Sequence, residues 1–327
     1  MKIWSLLPSA TEMLFALGLD DEVTGVTHEC DYPPEANSKP RVTFSHIDST
    51  RSSGEIDRQV TERFRAGLEI YGIDQERLRT DPPDLIVTQD LCPVCAVSPS
   101  DFGRHMESAG CKAQVLTLNP NRLGDILGDI ERVGEATSRM AEAEALVAEL
   151  SERIDRVRDA VGEAERPRVL CLEWLDPAMP GGHWVPEMIR LAGGDDGALI
   201  SPGEPSRKLP WDEMRRTEPE IIALTPCGFG PERAASEAEA LWDLDGWAAL
   251  PAVRKGRVYA LDGNSYFSRP GPRVVDGTEM LAHTFHPDRI SKMPPFGSVL
   301  KLVSPPAGGS SVENWAPRFE PLIGVPL

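Results

Sequence analysis

The sequence lacks long apolar segments and an excess of basic residues. No apolar run reaches the roughly 18 residues that a membrane-spanning helix requires, so membrane insertion is not expected. Lys and Arg number 34 against 52 Asp and Glu, which gives a formal net charge of −18. Because nucleic acids and anionic membrane surfaces attract basic patches, neither is expected as a partner.

The N-terminal segment also lacks the features of an export signal. MKIWSLLPSATEMLFALG has one Lys and a broken apolar run, and it has no small-residue cleavage site. The sequence as given is therefore expected to be cytoplasmic, or periplasmic or extracellular if an export signal is missing from it.

Cysteine is sparse, and the common catalytic motifs do not occur. Six cysteines in 327 residues are too few for a disulfide scaffold. There is no P-loop, Gly-x-Gly-x-x-Gly or nucleophile elbow, and no Ser-His-Asp or carboxylate pair can be assigned from spacing. No catalytic residue is predicted, and a binding protein is favoured over an enzyme.

The longest regular pattern predicts a helix over Met140–Val161. The segment contains neither Gly nor Pro and is rich in strong helix formers. Its larger apolar residues recur at steps of three and four, which is typical of one buried helix face: Leu146, Val147, Leu150, Ile154, Val157 and Val161. Gly162 and Pro167 follow as stop signals. A helix of this length would be either a strut between two lobes or a crossover helix within one large domain.

Short apolar strands alternate with helical patterns on both sides of this helix, which predicts an α/β fold. Strands are expected at 2–7, 22–27, 41–44, 85–88, 114–118, 168–172, 220–224 and 258–261. Helices are expected at 12–17, 54–71, 102–109, 122–138, 186–191 and 272–285. Ser9 or Thr11 is expected to cap the first of them.

These patterns divide the chain into four regions. They are an N-terminal α/β lobe (1–121), a helical segment (122–166) that includes the backbone helix 140–162, a C-terminal α/β lobe (167–286) and an extended Pro/Gly-rich tail (287–327), which is expected on the surface. Polar, aromatic, Cys and His residues cluster just after the strands, where open α/β sheets bind ligands. A ligand cleft between the two lobes is therefore expected.

Four stretches resemble the bacterial iron-siderophore and vitamin B12 solute-binding proteins that have a single helical backbone between their lobes. They are SLLPSATEMLFALGLDDEVTGVT, PPDLIVTQD, GEPSRKLPWDEMRRTEPEIIAL and LPAVRKGRVYALDGNSYFSRPGPRVVDGTEMLA. The resemblance covers about residues 2–287 and is nearest to the cobalamin-binding branch. It implies two Rossmann-like lobes, a rigid helical hinge, a bulky and often metal-containing small-molecule ligand, and an ABC transporter permease as partner.

Aromatic side chains in the loops after strands are candidates for contact with a flat ligand, because each offers a large face at low entropy cost. The candidates are Tyr32, Trp174, Trp184, Phe229 and Tyr266, together with His183 after two glycines and Arg269 before a Pro-Gly-Pro turn. The alternative is ordinary packing of loop against lobe, with Arg269 bracing the turn.

Thiols and an imidazole also gather in these loops. Cys92 and Cys95 form a CxxC, and the other candidates are His28, Cys30 and Cys227. Together they would give a soft N/S site for zinc, iron or the cobalt of a corrinoid. The alternative is a set of buried, unreactive thiols.

Two functions follow from these patterns. The first is a solute-binding protein that captures a cobalamin-like corrinoid or another metal chelate. The second is a cytosolic metal-binding protein or thiol-dependent enzyme that reuses the same cleft with its Cys/His cluster.

Overall fold

The computed structural model of the protein describes residues 1–90, 99–303 and 318–322, and for residues 99–102 the backbone alone. The chain divides into two compact units. Unit 1 contains residues 1–150 and 270–272, and unit 2 contains residues 151–269 and 273–327. Both are mixed α/β structures built on parallel strands, as the sequence predicts.

Unit 1 is organised around a four-stranded parallel sheet. The strands in chain order are β1 (Ile3–Ser5), β2 (Val23–Val26), β3 (Thr43–Ser45), β4 (Tyr71–Ile73), β5 (Leu85–Gln89) and β6 (Gln114–Leu118). The main sheet has the order β2-β1-β5-β6, and β3 and β4 form a separate antiparallel pair. Gly25 in β2 lets the neighbouring side chains close in, since a Cβ there would lie 2.7 Å from Val42 Cγ1 and 2.8 Å from Trp4 Cδ1.

Four of the helices of unit 1 differ from the sequence predictions at their ends, and a fifth, α3, was not predicted. They are α1 (Pro8–Ala16), α2 (Ser53–Arg65), α3 (Gln75–Thr80), α4 (Pro99–Ala109) and α5 (Leu123–Thr137). The expected cap at Ser9 or Thr11 is wrong, because α1 begins at Pro8 and its N-cap Leu7 makes no side-chain cap. The Thr11 hydroxyl instead donates to Ser5 Oγ at 2.8 Å.

The predicted helix over 54–71 is also too long. A capping box between Ser52 and Glu55 begins α2, but the helix ends at Arg65. Gly67 follows with φ of +64°, a left-handed conformation that glycine adopts without strain. The chain then enters β4, which the sequence analysis did not predict.

One long helix, α6 (Met140–Val161), has the bounds that the periodicity predicts. The division between the two units falls within it, after Leu150. Leu150, Val157 and Val161 of its apolar face are buried. The helix therefore contributes one buried segment to each unit.

Unit 2 contains a six-stranded mixed sheet. Its strands are β7 (Val169–Leu175), β8 (Ala178–Pro180), β9 (Ile221–Leu224), β10 (Val258–Leu261), β11 (Val299–Leu302) and β12 (Phe319–Pro321), and their order is β12-β11-β10-β9-β7-β8. The central strands β7, β9 and β10 are parallel, and the outer ones run antiparallel. The expectation of a surface-bound tail does not describe β11, which is largely buried against β10.

Short helices surround this sheet. They are α7 (Val185–Leu191), α8 (Trp211–Arg215), α9 (Pro231–Glu237), α10 (Pro251–Arg254), α11 (Gly263–Tyr266) and α12 (Val274–Phe285). Short 3₁₀ helices occur at Ala238–Asp243 and Trp247–Ala249 in this unit and at Pro34–Ser38 in unit 1. The main core of unit 2 includes the buried faces of β7 and β9 and the fully buried Trp247.

The part of the chain that the structure describes contains no helix that is both long enough and apolar enough to cross a membrane.

Candidate functional site

Three of the predicted aromatic residues follow the central strands of unit 2. Trp174 lies near the end of β7, Phe229 follows β9, and Tyr266 ends α11 directly after β10. Because β9 pairs in parallel with both β7 and β10, the carboxyl ends of these strands share one edge of the sheet. The rings of Trp174 and Phe229 are in contact, with centroids 5.4 Å apart.

An arginine that the sequence analysis missed completes this aromatic group. The Arg233 guanidinium carbon lies 3.6 Å from the centroid of the Phe229 ring, which is cation–π geometry. Burial lowers the pKa of Arg233, and the carboxylate of Glu237 opposes that shift. Phe229 itself is buried, so Trp174, which is partly exposed, presents the more open face.

A second pair of side chains braces the loop after β10. Arg269 is buried, and its Nη2 donates to Asn264 Oδ1 at 3.0 Å. The Asn264 backbone N–H in turn donates to the Phe229 carbonyl at 3.1 Å, which joins the loops after β9 and β10. Arg273 lies over the Tyr266 ring at 5.5 Å.

His183 is held in an unusual backbone conformation. Its φ is +53°, which is uncommon for a residue other than glycine. Two backbone hydrogen bonds fix it: its N–H donates to the Glu204 carbonyl at 2.6 Å, and its carbonyl accepts from Gly203 at 2.9 Å. Burial lowers the pKa of the imidazole, so the ring is neutral at physiological pH.

Trp184 occupies a different environment from Trp174. It is 5% exposed, and its Nε1–H donates to the Phe267 carbonyl at 2.8 Å. Both the ring and its polar atom are therefore used in packing within unit 2. Ligand contact by Trp184 remains a prediction, and its surroundings favour the packing alternative.

A partly buried carboxyl group, Glu173, lies next to Trp174 in β7 and was not predicted. Burial raises the pKa of Glu173, while hydrogen bonds from Ser206 and from the Gly182 N–H oppose the rise. The Gly182 N–H lies 3.3 Å from Glu173 Oε2. The Glu173 carbonyl also accepts from the Cys227 N–H at 3.1 Å, which places the partly buried Cys227 next to this strand end.

In unit 1, the candidates His28, Cys30 and Tyr32 follow β2. Cys30 is fully buried, and its sulfur lies 3.1 Å from both Thr11 Oγ1 and Thr27 Oγ1. Tyr32 is 43% exposed. Cys30 therefore has the surroundings of a packed thiol, whereas the Tyr32 side chain is exposed.

His28 is partly buried, and only one of its two ring nitrogens makes a hydrogen bond. Nδ1 lies 2.8 Å from Thr43 Oγ1, and the ring packs against Tyr71 with centroids 5.4 Å apart. Nε2 is buried and has no hydrogen-bond partner. Burial lowers the pKa of His28, and the charge of Arg41 lowers it further, so both effects favour the neutral imidazole.

The predicted metal set cannot be assembled from the described residues alone. Cys92 and Cys95 lie outside them. His28 and Cys30 belong to unit 1, and Cys227 belongs to unit 2. Among the described residues, no group of three or more His, Cys, Asp or Glu side chains is arranged to hold a metal ion. The five-residue metal site stays a prediction.

Two α/β units that share a long helix, one of them with aromatic side chains at the carboxyl edge of its sheet, are the architecture of a solute-binding protein. The sequence profile described as periplasmic binding protein matches residues 3–264. The chain belongs to this family.

Known proteins similar to this chain carry names of the same kind. An uncharacterized ABC transporter substrate-binding lipoprotein, YvrC of Bacillus subtilis, is 26% identical over 294 residues, which cover 88% of this chain and 80% of the relative. A vitamin B12-binding protein of Vibrio cholerae is 24% identical over 284 residues, which cover 86% of this chain and 87% of the relative.

A solved structure shares the fold. The periplasmic heme-binding protein RhuT of Roseiflexus sp. RS-1 superposes with a TM-score of 0.65 and 23% identity, over 88% of this chain and 98% of that chain. The similarities support a solute-binding protein of ABC transporter type and give no support to the alternative of a thiol-dependent enzyme. They also give no support to a cytoplasmic location, since the family is named for the periplasm and the B. subtilis relative is a lipoprotein.

Proposed function

We propose that this chain is the substrate-binding component of an ABC transporter and that its ligand is a cobalamin-like corrinoid. The observation that carries the proposal is the aromatic edge of unit 2, where the partly exposed Trp174 packs on Phe229 at the ends of parallel strands. The relatives named for vitamin B12 binding supply independent support.

The chemistry of the ligand fits this edge. A corrin ring is large and nearly planar, and aromatic faces bury such a surface at little cost in side-chain entropy. Tyr266 adds a third aromatic ring after β10, and its hydroxyl gives a polar end for the amide groups around the ring. We assign Trp174, Tyr266 and His183 to ligand contact. Phe229 packs against Trp174 and holds its ring in place.

A haem is the second candidate. Arg233, Arg269 and Arg273 all lie beside this edge of unit 2, in a protein whose formal net charge is −18. Guanidinium groups bind carboxylates well, and haem carries two of them. Tyrosine is also a known haem-iron ligand, which gives Tyr266 a role in this alternative.

Titration calorimetry with cyanocobalamin and with haemin separates the two ligands. The wild-type protein is expected to bind cyanocobalamin, and Trp174→Ala is expected to weaken binding by about tenfold or more, which corresponds to roughly 1.4 kcal/mol. Phe296→Ala is the matched control, because Phe296 is an aromatic residue of the same unit that is 93% exposed. Tighter binding of haemin would select the second candidate.

Two results would contradict the proposal. One is the absence of binding for both ligands. The other is equal affinity of the wild-type protein and a folded Trp174→Ala variant. That result would show that the aromatic edge does not contact the ligand.

The predicted zinc or iron site has a separate test. The metal content of the purified protein is compared with that of a Cys92→Ser, Cys95→Ser double variant. Stoichiometric zinc or iron that is lost in the double variant would support the metal-binding alternative. Corrinoid binding that survives the two substitutions would support capture without these thiols.

A further inference from the structure

A pocket of about 360 Å³ lies beside the C-terminal end of α6 and along α7, entirely within unit 2. This volume is in the range of sites that hold small molecules. Among the described residues, its walls carry three guanidinium groups, from Arg158, Arg166 and Arg190, and one carboxylate, from Glu187. The local excess of positive charge runs against the formal net charge of −18.

The pocket is separate from the aromatic edge of the same unit. Arg166 lies just before β7, whereas Trp174 lies near the other end of that strand. The ends of a strand of seven residues are roughly 20 Å apart. A ligand in this pocket therefore belongs to a second site and not to the edge that carries Trp174.

Arg166 is the best-placed cation of the pocket. Its Nη1 donates to the Arg190 carbonyl at 3.0 Å and to the Gly194 carbonyl at 3.4 Å, at the end of α7, and these bonds orient the guanidinium. Among the residues that the structure describes, Arg166 has no carboxylate partner. Because a guanidinium has five N–H donors, the side formed by Nε and Nη2 is left to bind an anion in a bidentate manner.

The other two arginines have partners but keep donors available. Nε and Nη2 of Arg190 contact Asp196 at 3.2 to 3.3 Å, which leaves Nη1 outside this pair. Arg158 pairs with Asp155 at 2.8 Å, and both of these side chains are more than half exposed. Exposed pairs of this kind contribute little to stability, so Arg158 can turn toward an anion at small cost.

The remaining lining is apolar. Val161 at the end of α6 is buried, and Leu191 at the end of α7 is partly buried. We propose that the pocket binds a small organic anion, whose carboxylate or phosphate group lies on the Nε–Nη2 side of Arg166 and whose carbon body packs on Val161 and Leu191. Arginine is suited to both anionic groups, because its planar donors match their oxygens. This site goes beyond the proposed capture of a corrinoid.

The test compares three anions by titration calorimetry at constant ionic strength. Phenyl phosphate and 3-phenylpropionate both have an apolar body and differ in the anionic group, whereas inorganic phosphate has no such body. The wild-type protein is expected to bind at least one of the phenyl anions more tightly than inorganic phosphate, and the tighter of the two identifies the anionic group. Affinity should fall as sodium chloride is added, since the guanidinium groups are exposed.

Three variants locate the site. Arg166→Gln is expected to weaken binding roughly tenfold or more, because charge-assisted hydrogen bonds are lost. Arg156→Gln is the matched control: it makes the same change in net charge on α6 but lies outside the pocket, and it should retain binding. Glu187→Gln removes a negative charge from the lining and should strengthen binding, a gain that unfolding cannot produce.

Circular dichroism checks that each variant is folded, and Arg158→Gln replaces Arg166→Gln if the latter is not. Absence of binding for both phenyl anions at millimolar concentration would overturn the inference. Equal weakening by Arg156→Gln and Arg166→Gln would do the same, since it would reflect net charge alone. Inorganic phosphate that binds as tightly as the phenyl anions would remove the apolar contacts from the proposal.

A last titration separates this pocket from the proposed corrinoid site. Saturating cyanocobalamin is expected to leave the affinity for the phenyl anion unchanged. Competition between the two ligands would place the anion at the corrinoid site and would overturn the second site. If cyanocobalamin does not bind at all, the proposed function fails, and the anion titrations decide the pocket by themselves.

Discussion

Arg153 and Glu279 form a bidentate ion pair within unit 2. Nε of Arg153 donates to Oε1 at 3.1 Å, and Nη2 donates to Oε2 at 2.7 Å. Both side chains are largely buried, at 14% and 12% exposure. Arg153 also bonds Asp276, and Lys292 contacts Glu279, so that four charges join the second half of α6 to α12.

Removing the arginine should destabilise the protein strongly. Arg153→Met leaves two carboxylates without their main partner, and we expect a loss of about 2–4 kcal/mol in the free energy of unfolding, near the range for broken buried pairs. Urea denaturation followed by tryptophan fluorescence measures it. The control is Arg156→Met, which breaks the exposed pair with Glu152 and should cost well under about 1 kcal/mol. Equal effects of the two substitutions would contradict the assigned role.

The same cluster predicts a dependence of stability on pH. Burial acts to raise the pKa of Glu279, but hydrogen bonds from Arg153 and Lys292 outweigh it and lower the pKa below 4.5. A carboxyl group whose folded-state pKa is depressed stabilises the fold above its unfolded pKa, and this contribution is lost as the pH falls through the folded value. The difference in unfolding free energy between the wild-type protein and Glu279→Gln should therefore be constant near pH 7 and shrink below about pH 4.5. A difference that grows on acidification would show that the sign is wrong.

Gly182→Ala should disturb the His183 loop. An added Cβ would lie 2.8 Å from the Glu204 carbonyl oxygen, and this carbonyl accepts the hydrogen bond from His183. We expect a loss of about 1–3 kcal/mol in stability, as for other overpacked sites, together with weaker ligand binding. Gly124→Ala is the control, since a Cβ there would meet no atom within 4 Å beyond the neighbouring residues and backbone of its own helix. Normal stability and affinity of Gly182→Ala would show that the loop can adjust without cost.

Trp184→Phe tests the packing role of this tryptophan. The substitution leaves the buried Phe267 carbonyl without its donor, which should cost about 1–3 kcal/mol. Trp174→Phe removes a similar bond to the Asp176 carbonyl, but Asp176 is exposed and water can replace the lost donor. Thermal or urea unfolding should rank Trp184→Phe as clearly the less stable variant. The reverse order would favour a functional position for Trp184.

The sequence predicted those elements whose signals are local and repeated. Met140–Val161 has the predicted bounds because an uninterrupted apolar face and flanking stop signals extend over many turns. The central strand Ile221–Leu224 was predicted because a buried parallel strand is a continuous apolar run.

Elements that depend on distant partners were missed. Tyr71–Ile73 has only three residues, too few for an alternating pattern, and its strand conformation depends on pairing with β3. Ala178–Pro180 and Val299–Leu302 likewise become strands through pairing with β7 and β10. Such pairings cannot be derived from local composition.

The candidate site shows the same limit. The positions of Trp174 and Tyr266 after strands followed from the order of the elements. The contact of Arg233 with Phe229 had a weak local signal, a spacing of four residues across a helix start, which the sequence analysis did not use. The partial burial of Glu173 had no local signal, because a charged residue near a strand end is ordinarily solvated.

The pairing of β11 with β10 limits how far the chain can be truncated from its C-terminal end. The family profile ends at residue 264, but the strand that covers the hydrogen-bonding edge of β10 comes from Val299–Leu302. A fragment trimmed to the profile would expose a bare row of backbone donors and acceptors, which is a template for self-association between copies. The same trimming removes α12 with its buried face and its ion pairs to Arg153, so loss of soluble material would report these missing elements and would say nothing about the ligand.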